Sequence, residues 1–498
     1  MIVLDKYFDR LTILYNPVSE KASVGESLVL FDPTLPARSN GAVAQVIEER
    51  PYLPMGMRDS LLIESLTPDI GAKTEQPTEL GAAKSDLRNQ KTLIAKIRLS
   101  ASVDFQNGKV ESFGSWNGWS PTPSCAVVKI PDPEILKYLD LKGTSNNVAT
   151  LGKTTGSAPF DLNLFYLHGV STLVGGRGTG KSHLAKKLAL GLIDAKRRAI
   201  VFDINDEWGS MRLNIDGTES KYAGKITRAN PGENLSFDLK YLGRIVFASV
   251  LRMMNVEESS ATMQTIMNKW KELERDDKLS LENLKAALED PKVNEKVRDA
   301  LVMRLNQLEG SGIIVAGETG TSIQELLERI EGGGLLVVNL KDKTKLIQYV
   351  IVQLFISKLA GILSDPKVEP MVFIVEEAQT YMSNFEIEEV VARLRHLGLH
   401  QVYITNSPQS LTPFLMSHIS NWFVFNLVND QDIMYLQKSL PLDLESATVL
   451  IKSLAPRNAL VLINENYNGV TKNYPLIVKV DSIPYQTAGA TRELFPSP

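Results

Sequence analysis

The sequence predicts an α/β protein: a parallel sheet, preceded by a small strand-rich domain and interrupted by a helical insertion. Three patterns lead there. Short β-rich runs separated by Gly, Pro, Asn and Asp fill residues 1–130. From Leu164 onward, buried apolar runs alternate with helical ones. Between two of those runs, residues 235–330 carry Lys- and Glu-rich helical sequence.

In chain order, the first strands are expected at Leu11–Tyr15, Ser27–Phe31, Ala42–Ile47, Leu93–Ser102 and Ala126–Ile130. Strands of that length in so few residues suggest a small barrel or sandwich. Residues 131–160 read as a connector rich in Gly, Ser and Thr. The sheet strands follow at Val170–Val174, Ala199–Asp203, Leu335–Leu340, Met371–Val375, Gln401–Thr405 and Trp422–Leu427, with later β-runs at Ala459–Asn464 and Tyr474–Val480. The core is therefore placed at 161–234 and 331–485, the insertion at 235–330 and a tail at 486–498. One insertion helix is marked by Asp290 as N-cap, Pro291 as its first residue, apolar Val293, Val297, Leu301 and Leu305, and Gly310 after its end. Its charged faces read most simply as solvated surface.

Composition narrows the class. A chain of 498 residues exceeds one core and suggests two to four domains. Hydrophobic content of 43% and charged content of 22% are ordinary globular values. The net charge of −4 excludes a uniformly basic nucleic-acid binder, so any nucleic acid must meet a local basic surface or the lumen of an assembly. Cys125 is the single cysteine, which excludes an intramolecular disulfide and a cysteine-built zinc site and fits the cytoplasm. The N-terminus carries charges among its apolar positions and does not read as a signal peptide. The apolar run Gln348–Leu363 is interrupted by Lys358 and reads as a buried amphipathic helix, not a membrane span.

Gly175, Gly180, Lys181 and Ser182 fit G-x-x-x-x-G-K-[ST], between a buried strand and the helical run Ser182–Leu192. In that context the backbone of Gly175, Gly176, Arg177, Gly178, Thr179, Gly180, Lys181, Ser182 and His183 cradles the phosphates of ATP. Lys181 reaches the β- and γ-phosphates and Ser182 ligates Mg2+. After the strand Met371–Val375 stand Glu376 and Glu377. Strand alternation sends them in different directions, which suits Glu376 to the metal side and Glu377 to the general base; the alternative is an acidic helix start. Asn406, after the next strand, is a γ-phosphate sensor or an ordinary turn residue. Asp203 and Glu207 lie near the same edge, with helix capping the alternative for Asp203. Arg393 and Arg395 flank the stripe Ile387, Val390, Val391, Leu394 and Leu397, as surface ion-pair formers or as a finger entering a neighbouring subunit's ATP site; Arg395 is the preferred finger.

This constellation resembles the HerA family of hexameric DNA-translocating ATPases, within the wider group that includes FtsK-like motors. The residues that carry the resemblance are Phe202-Asp-x-x-x-Glu-Trp208, Glu376-Glu-Ala-Gln379, Arg395-His-Leu-Gly398, Thr405-Asn-Ser-Pro408 and Asn429-Asp-Gln-Asp432. It covers most of the chain and implies a RecA-like P-loop NTPase core, an N-terminal β-barrel (HAS-barrel-like) domain and a helical insertion. It also implies Arg395 as the finger. Asn406-Ser407-Pro408 replaces the family's usual Gln-Arg-Pro, Gln379 a frequent His, and His168 stands near a frequent arginine. By resemblance, the chain is an ATP- and Mg2+-dependent homohexameric translocase or helicase on double-stranded DNA, without a membrane partner. A nuclease such as NurA, or another effector, docks on the barrel in end processing or anti-phage defence. The alternative is an ATP-gated scaffold that regulates an effector with little translocation.

Overall fold

The computed structural model describes all residues except 35–38, 53–89, 105–108, 144–146, 316–320, 379–393, 464–472 and 488–498. The chain divides into two compact units, one holding residues 1–143, 152–160 and 425–480, the other 144–151, 161–424 and 481–498.

The first unit begins with β1 (Ile2–Tyr7), β2 (Arg10–Tyr15), β3 (Ser27–Phe31), β4 (Ser39–Pro51), β5 (Lys91–Asp104), β6 (Lys109–Ser115) and β7 (Ala126–Ile130). They form a seven-stranded sheet in the order β1-β2-β5-β4-β3-β7, with β6 beside β5. Its pairs are antiparallel, and the long β4–β5 ladder shifts register at Val43/Ala44 and Val46/Glu48. Such bulges add twist and bend the strand. Alternate residues Leu11, Ile13, Leu28, Leu30, Ala42, Ala44, Leu93 and Ala95 build the core, as the twofold pleat requires. Every expected strand is present here, but the expected barrel is not shown: among the described residues the sheet path is open, with no pairing between β1 and β7.

The stretch expected as a connector has structure of its own. It contains α1 (Asp132–Leu139), with proline in its first turn and Asp132 and Glu134 at its positive end. Then come β8 (Val148–Thr154) and β9 (Pro159–Asn163). The later part of this unit contributes helices Asp430–Gln437 and Leu444–Ser453 and two strands, Asn458–Ile463 and Leu476–Val480. Within the unit, Lys96 pairs with Asp9 and Glu445, and Arg98 donates to Ser446 at 2.8 Å.

The second unit is the α/β core. Its strands are β10 (Val170–Val174), β11 (Arg198–Asp203), β12 (Ile226–Ala229), β13 (Gly334–Asn339), β14 (Met371–Val375), β15 (Leu399–Thr405) and β16 (Ile419–Val424). They lie in the order β12-β13-β11-β14-β15-β10-β16, and the pairs are parallel. All residues of β10 and β14 are buried, which is why their sequences run apolar without alternation. Because the strands are parallel, their C-terminal ends gather along one edge, where such sheets bind ligands. Helix α2 (Lys181–Asp194) follows β10.

In the insertion, Trp270 of helix Ala261–Arg275 packs on Phe247 with ring centroids 4.7 Å apart. Helix Glu295–Gly310 starts later than the sequence suggests. Asn294 is its cap, accepting from the Lys296 N–H at 3.0 Å, while Asp290 closes a separate turn by accepting from the Lys292 N–H. Helix Lys345–Leu363 is long and apolar enough to cross a membrane by length and composition. It is not amphipathic, since consecutive residues Ile347–Val352 are all buried, the pattern of a helix packed on every side.

Candidate active site

The loop between β10 and α2 is shaped by its glycines. Gly178 at φ 71° and Gly180 at φ 114° occupy backbone space that side chains disfavour. Thr179 braces the turn by donating its hydroxyl to the Gly176 carbonyl at 2.8 Å. Gly180 is the N-cap of α2 and offers no side-chain cap, so the first-turn N–H groups are left for an anion.

Lys181 is buried, and its ammonium donates to the carbonyls of Gly175 at 2.8 Å and Gly176 at 2.6 Å. Burial lowers its pKa to about 8, against the nearby negative charges of Glu377 and Glu376 and with the Arg177 charge adding to the depression. Arg177 itself is exposed and Ser182 half-buried. The His183 ring is turned to the Asp481 carbonyl at 2.9 Å.

Glu376 follows β14 directly and is 2% exposed. Neither of its carboxylate oxygens has a hydrogen bond of full geometry, although the nearby Trp208 indole N–H favours the charged form. Burial raises its pKa to about 8, and the neighbouring Asp203 and Glu207 charges push the same way; Lys186 opposes them. Lys186, buried on α2, pairs with Glu207 at 3.0 Å. Asp203 ends β11 and caps the following turn, its two oxygens accepting from the N–H groups of Glu207 at 3.0 Å and Trp208 at 2.9 Å. The capping reading of Asp203 therefore describes its contacts, and its carboxylate still adds charge to the pocket around Glu376.

Glu377 turns the other way, in a left-handed backbone conformation at φ 48°. A non-glycine residue held there costs on the order of 1–3 kcal/mol, a strain that clusters at functional sites. Asn406, at the end of β15, donates its amide to both Glu377 oxygens, at 2.8 and 3.1 Å. So the structure brings Lys181, Glu376, Glu377 and Asn406 together at the C-terminal strand edge. Among the described residues no group of three or more His, Cys, Asp or Glu could alone hold a metal ion. A hydroxyl from Ser182 and the buried carboxylate of Glu376 fit Mg2+ bound jointly with phosphate oxygens, the usual magnesium arrangement.

Arg395 lies elsewhere. It opens the short turn that leads into β15, whose seven residues rise roughly 20 Å before Asn406. There its Cδ lies 3.6 Å from where a Cβ on Gly169 would stand. His168 stacks on Phe165 with centroids 5.9 Å apart and planes at 9°, and faces His400 at 4.4 Å. Arg393, Gln379 and the apolar stripe from Ile387 to Val391 are outside the described residues. Lys186 and His400 were not singled out from the sequence. The dipeptide Lys186-Lys187 gives no sign of which lysine is buried, and His400 falls inside a strand pattern.

The family model matching this sequence is that of the helicase HerA central domain, over residues 152–359. No curated protein matches it. Among solved structures, the bacterial conjugative coupling protein TrwBdeltaN70 in its unbound monoclinic form is similar, with 14% identity, TM-score 0.50, and coverage of 73% of this chain and 94% of that one. TrwB in complex with ADP and Mg2+ has 15% identity and TM-score 0.49, covering 72% and 94%. VirB4 of Thermoanaerobacter pseudethanolicus has 14% identity and TM-score 0.48, covering 68% and 98%. At 14% identity the likeness to TrwBdeltaN70 is one of fold alone.

Proposed function

We propose, on the match of residues 152–359 to the helicase HerA central-domain model, that this chain is the subunit of a homohexameric ring that hydrolyses ATP to drive double-stranded DNA. The observation behind the hydrolase reading is the meeting of four groups at one sheet edge. A buried lysine on a glycine loop faces a buried carboxylate, beside a second carboxylate held by an amide.

In this reading the N–H groups of Gly176 to His183 bind the phosphates, and Lys181 balances charge on the β- and γ-oxygens. Ser182 and Glu376 would hold Mg2+, which would supply neutralisation of the phosphate charge. Glu377 accepts the proton of the attacking water as that oxygen bonds to the γ-phosphorus. The bond from phosphorus to the bridging oxygen breaks, and ADP leaves with the electron pair. Asn406 keeps the Glu377 carboxylate aimed, since both its oxygens are held by one amide group. Arg395, roughly 20 Å of strand away from Asn406, serves the nucleotide of the adjoining subunit.

The DNA would be held by surfaces of the assembly, since the chain itself carries a net charge of −4. A nuclease such as NurA, or another effector, is assigned to the first unit. Its β1–β2 hairpin presents Tyr7 at 79% and Phe8 at 75% exposure, the latter at φ 55°. Exposed aromatic side chains of this kind dominate binding energy in protein interfaces. The single cysteine, Cys125, suits a cytoplasmic site of action.

The test is ATP turnover with and without duplex DNA over a salt series. Duplex DNA should raise turnover, salt should suppress the stimulation, and Lys181→Ala should abolish turnover. Turnover that ignores DNA, with no salt-sensitive DNA binding, would sink the motor reading.

A further inference from the structure

The edge of the sheet opposite the glycine loop carries an arrangement that the hydrolytic residues do not use. The chain enters β10 through Gly169, at φ 88°, and its N–H donates to Nδ1 of His400 at 3.1 Å. A nitrogen that accepts from a backbone N–H has no proton, so His400 is neutral with its proton on Nε2. Burial is the main reason its pKa falls to about 4, and the His168 and Arg395 charges act in the same sense.

Rings line this corner. Phe165 stacks on His168, and His168 meets His400 at a centroid distance of 4.4 Å with planes tilted by 46°. Arg395 runs over the adjacent Gly169, where a Cβ would sit 3.6 Å from its Cδ and 3.3 Å from the Ser420 hydroxyl. The turn that holds it is closed by Gly398, left-handed at φ 90°, whose N–H donates to the Arg395 carbonyl at 3.1 Å. Gly398 in turn accepts from the Met371 N–H at 3.0 Å, which ties the turn to the start of β14.

We propose that His168 and His400 are positioning residues for Arg395, forming with Phe165 a neutral ring seat that fixes the arginine stem at the start of β15. This rests on the reading of Arg395 as the group that serves a neighbouring subunit's nucleotide. The chemistry of the seat suits that duty. A carboxylate here would neutralise the guanidinium before it met a phosphate, and a cation would repel it. Aromatic rings restrict an arginine while leaving its charge and its donors available. A group held to within a fraction of an ångström acts on a transition state far better than one that swings freely.

The test is steady-state ATP turnover by the full chain with duplex DNA, for Arg395→Ala, His168→Ala, His168→Phe, His400→Asn and the double variant of His168→Ala with Arg395→Ala. His400→Asn keeps an acceptor for the Gly169 N–H while removing the ring. Arg395→Ala should lower kcat by at least about tenfold. His168→Ala and His400→Asn should each lower kcat by about three- to tenfold with KM unchanged, and His168→Phe should regain most of it. In the double variant, loss of His168 should add nothing to the loss of Arg395, because both act through one guanidinium. Multiplied losses in the double variant would overturn the proposal, as would wild-type kcat in both histidine variants beside an impaired Arg395→Ala. Wild-type turnover in Arg395→Ala would instead overturn the reading of the arginine itself, and this proposal with it. Melting temperatures separate misfolding from mispositioning; if His400→Asn does not fold, His168→Ala and its double variant still decide.

Discussion

Glu376 is a carboxylate that its own surroundings oppose, buried and facing Asp203 and Glu207 with Lys186 as the nearby cation. Glu376→Gln keeps the shape and removes the charge. It should raise the melting temperature of the nucleotide-free protein by a few degrees, while lowering turnover by at least about a hundredfold. Scanning calorimetry and phosphate release check the two halves, and a variant that loses both stability and activity would mean that the side chain is structural. Asn406→Asp should slow turnover more than Asn406→Ala, because it sets a second carboxylate against Glu377 where an amide now donates at 2.8 Å. Single-turnover rates at saturating ATP distinguish the two. At this scale the sequence was generous where chemistry needs a fixed spacing. The glycine-lysine-serine loop and the paired acids after an apolar strand are legible because few other arrangements bind phosphate and a metal together. Lys186 was hidden, since whether a helical lysine is buried depends on what packs over it.

Strands and helices show a similar division. The buried strands were legible from composition, since a parallel sheet covered on both faces selects uninterrupted apolar runs. The start of helix Glu295–Gly310 was not, because Asp290 and Asn294 are both good caps by residue type. Asp290 satisfies itself with the Lys292 N–H, so the cap falls to Asn294. Likewise α1 lies in a stretch whose Gly, Ser and Thr content masked an eight-residue helix. The entry to β15 carries a pH prediction. His400 has a folded pKa of about 4 against an ordinary 6.5, and His168 is lowered too, chiefly by burial. The folded state therefore holds fewer protons than the unfolded chain between those values. The stability this represents is present above pH 6.5 and is lost as pH falls toward 4, by at most about 1.4 kcal/mol per pH unit for one group. Urea unfolding at pH 7 and pH 5 should show a smaller difference for His400→Asn than for the wild type.

At the level of the whole molecule, the path β1-β2-β5-β4-β3-β7 among the described residues does not show the expected barrel, and closure is something no residue pattern could reveal. Closure depends on tilt and stagger shared by all strands, whereas composition reports only that strands exist. Function at this scale is expected to be collective. Native mass measurement should find a larger assembly with ATP and duplex DNA than with neither, and Arg395→Ala should leave that assembly intact while it slows turnover. A monomer under every condition would rule out a site completed by a neighbour.

One strand, β15, has Arg395 and His400 at its beginning and Asn406 at its end. It is hydrogen-bonded on both sides, to β14 and to β10, so it moves as a stiff rod or hardly at all. On the proposed reading, a subunit built this way would report on its own ATP with one tip and touch the next subunit's ATP with the other. News of a cleaved phosphate could then pass round a ring as the slide of a single rod, each subunit taking its turn from the one before. Cooperativity in the ATP dependence of turnover should accordingly weaken in Asn406→Ala, even in preparations where most of the rate survives.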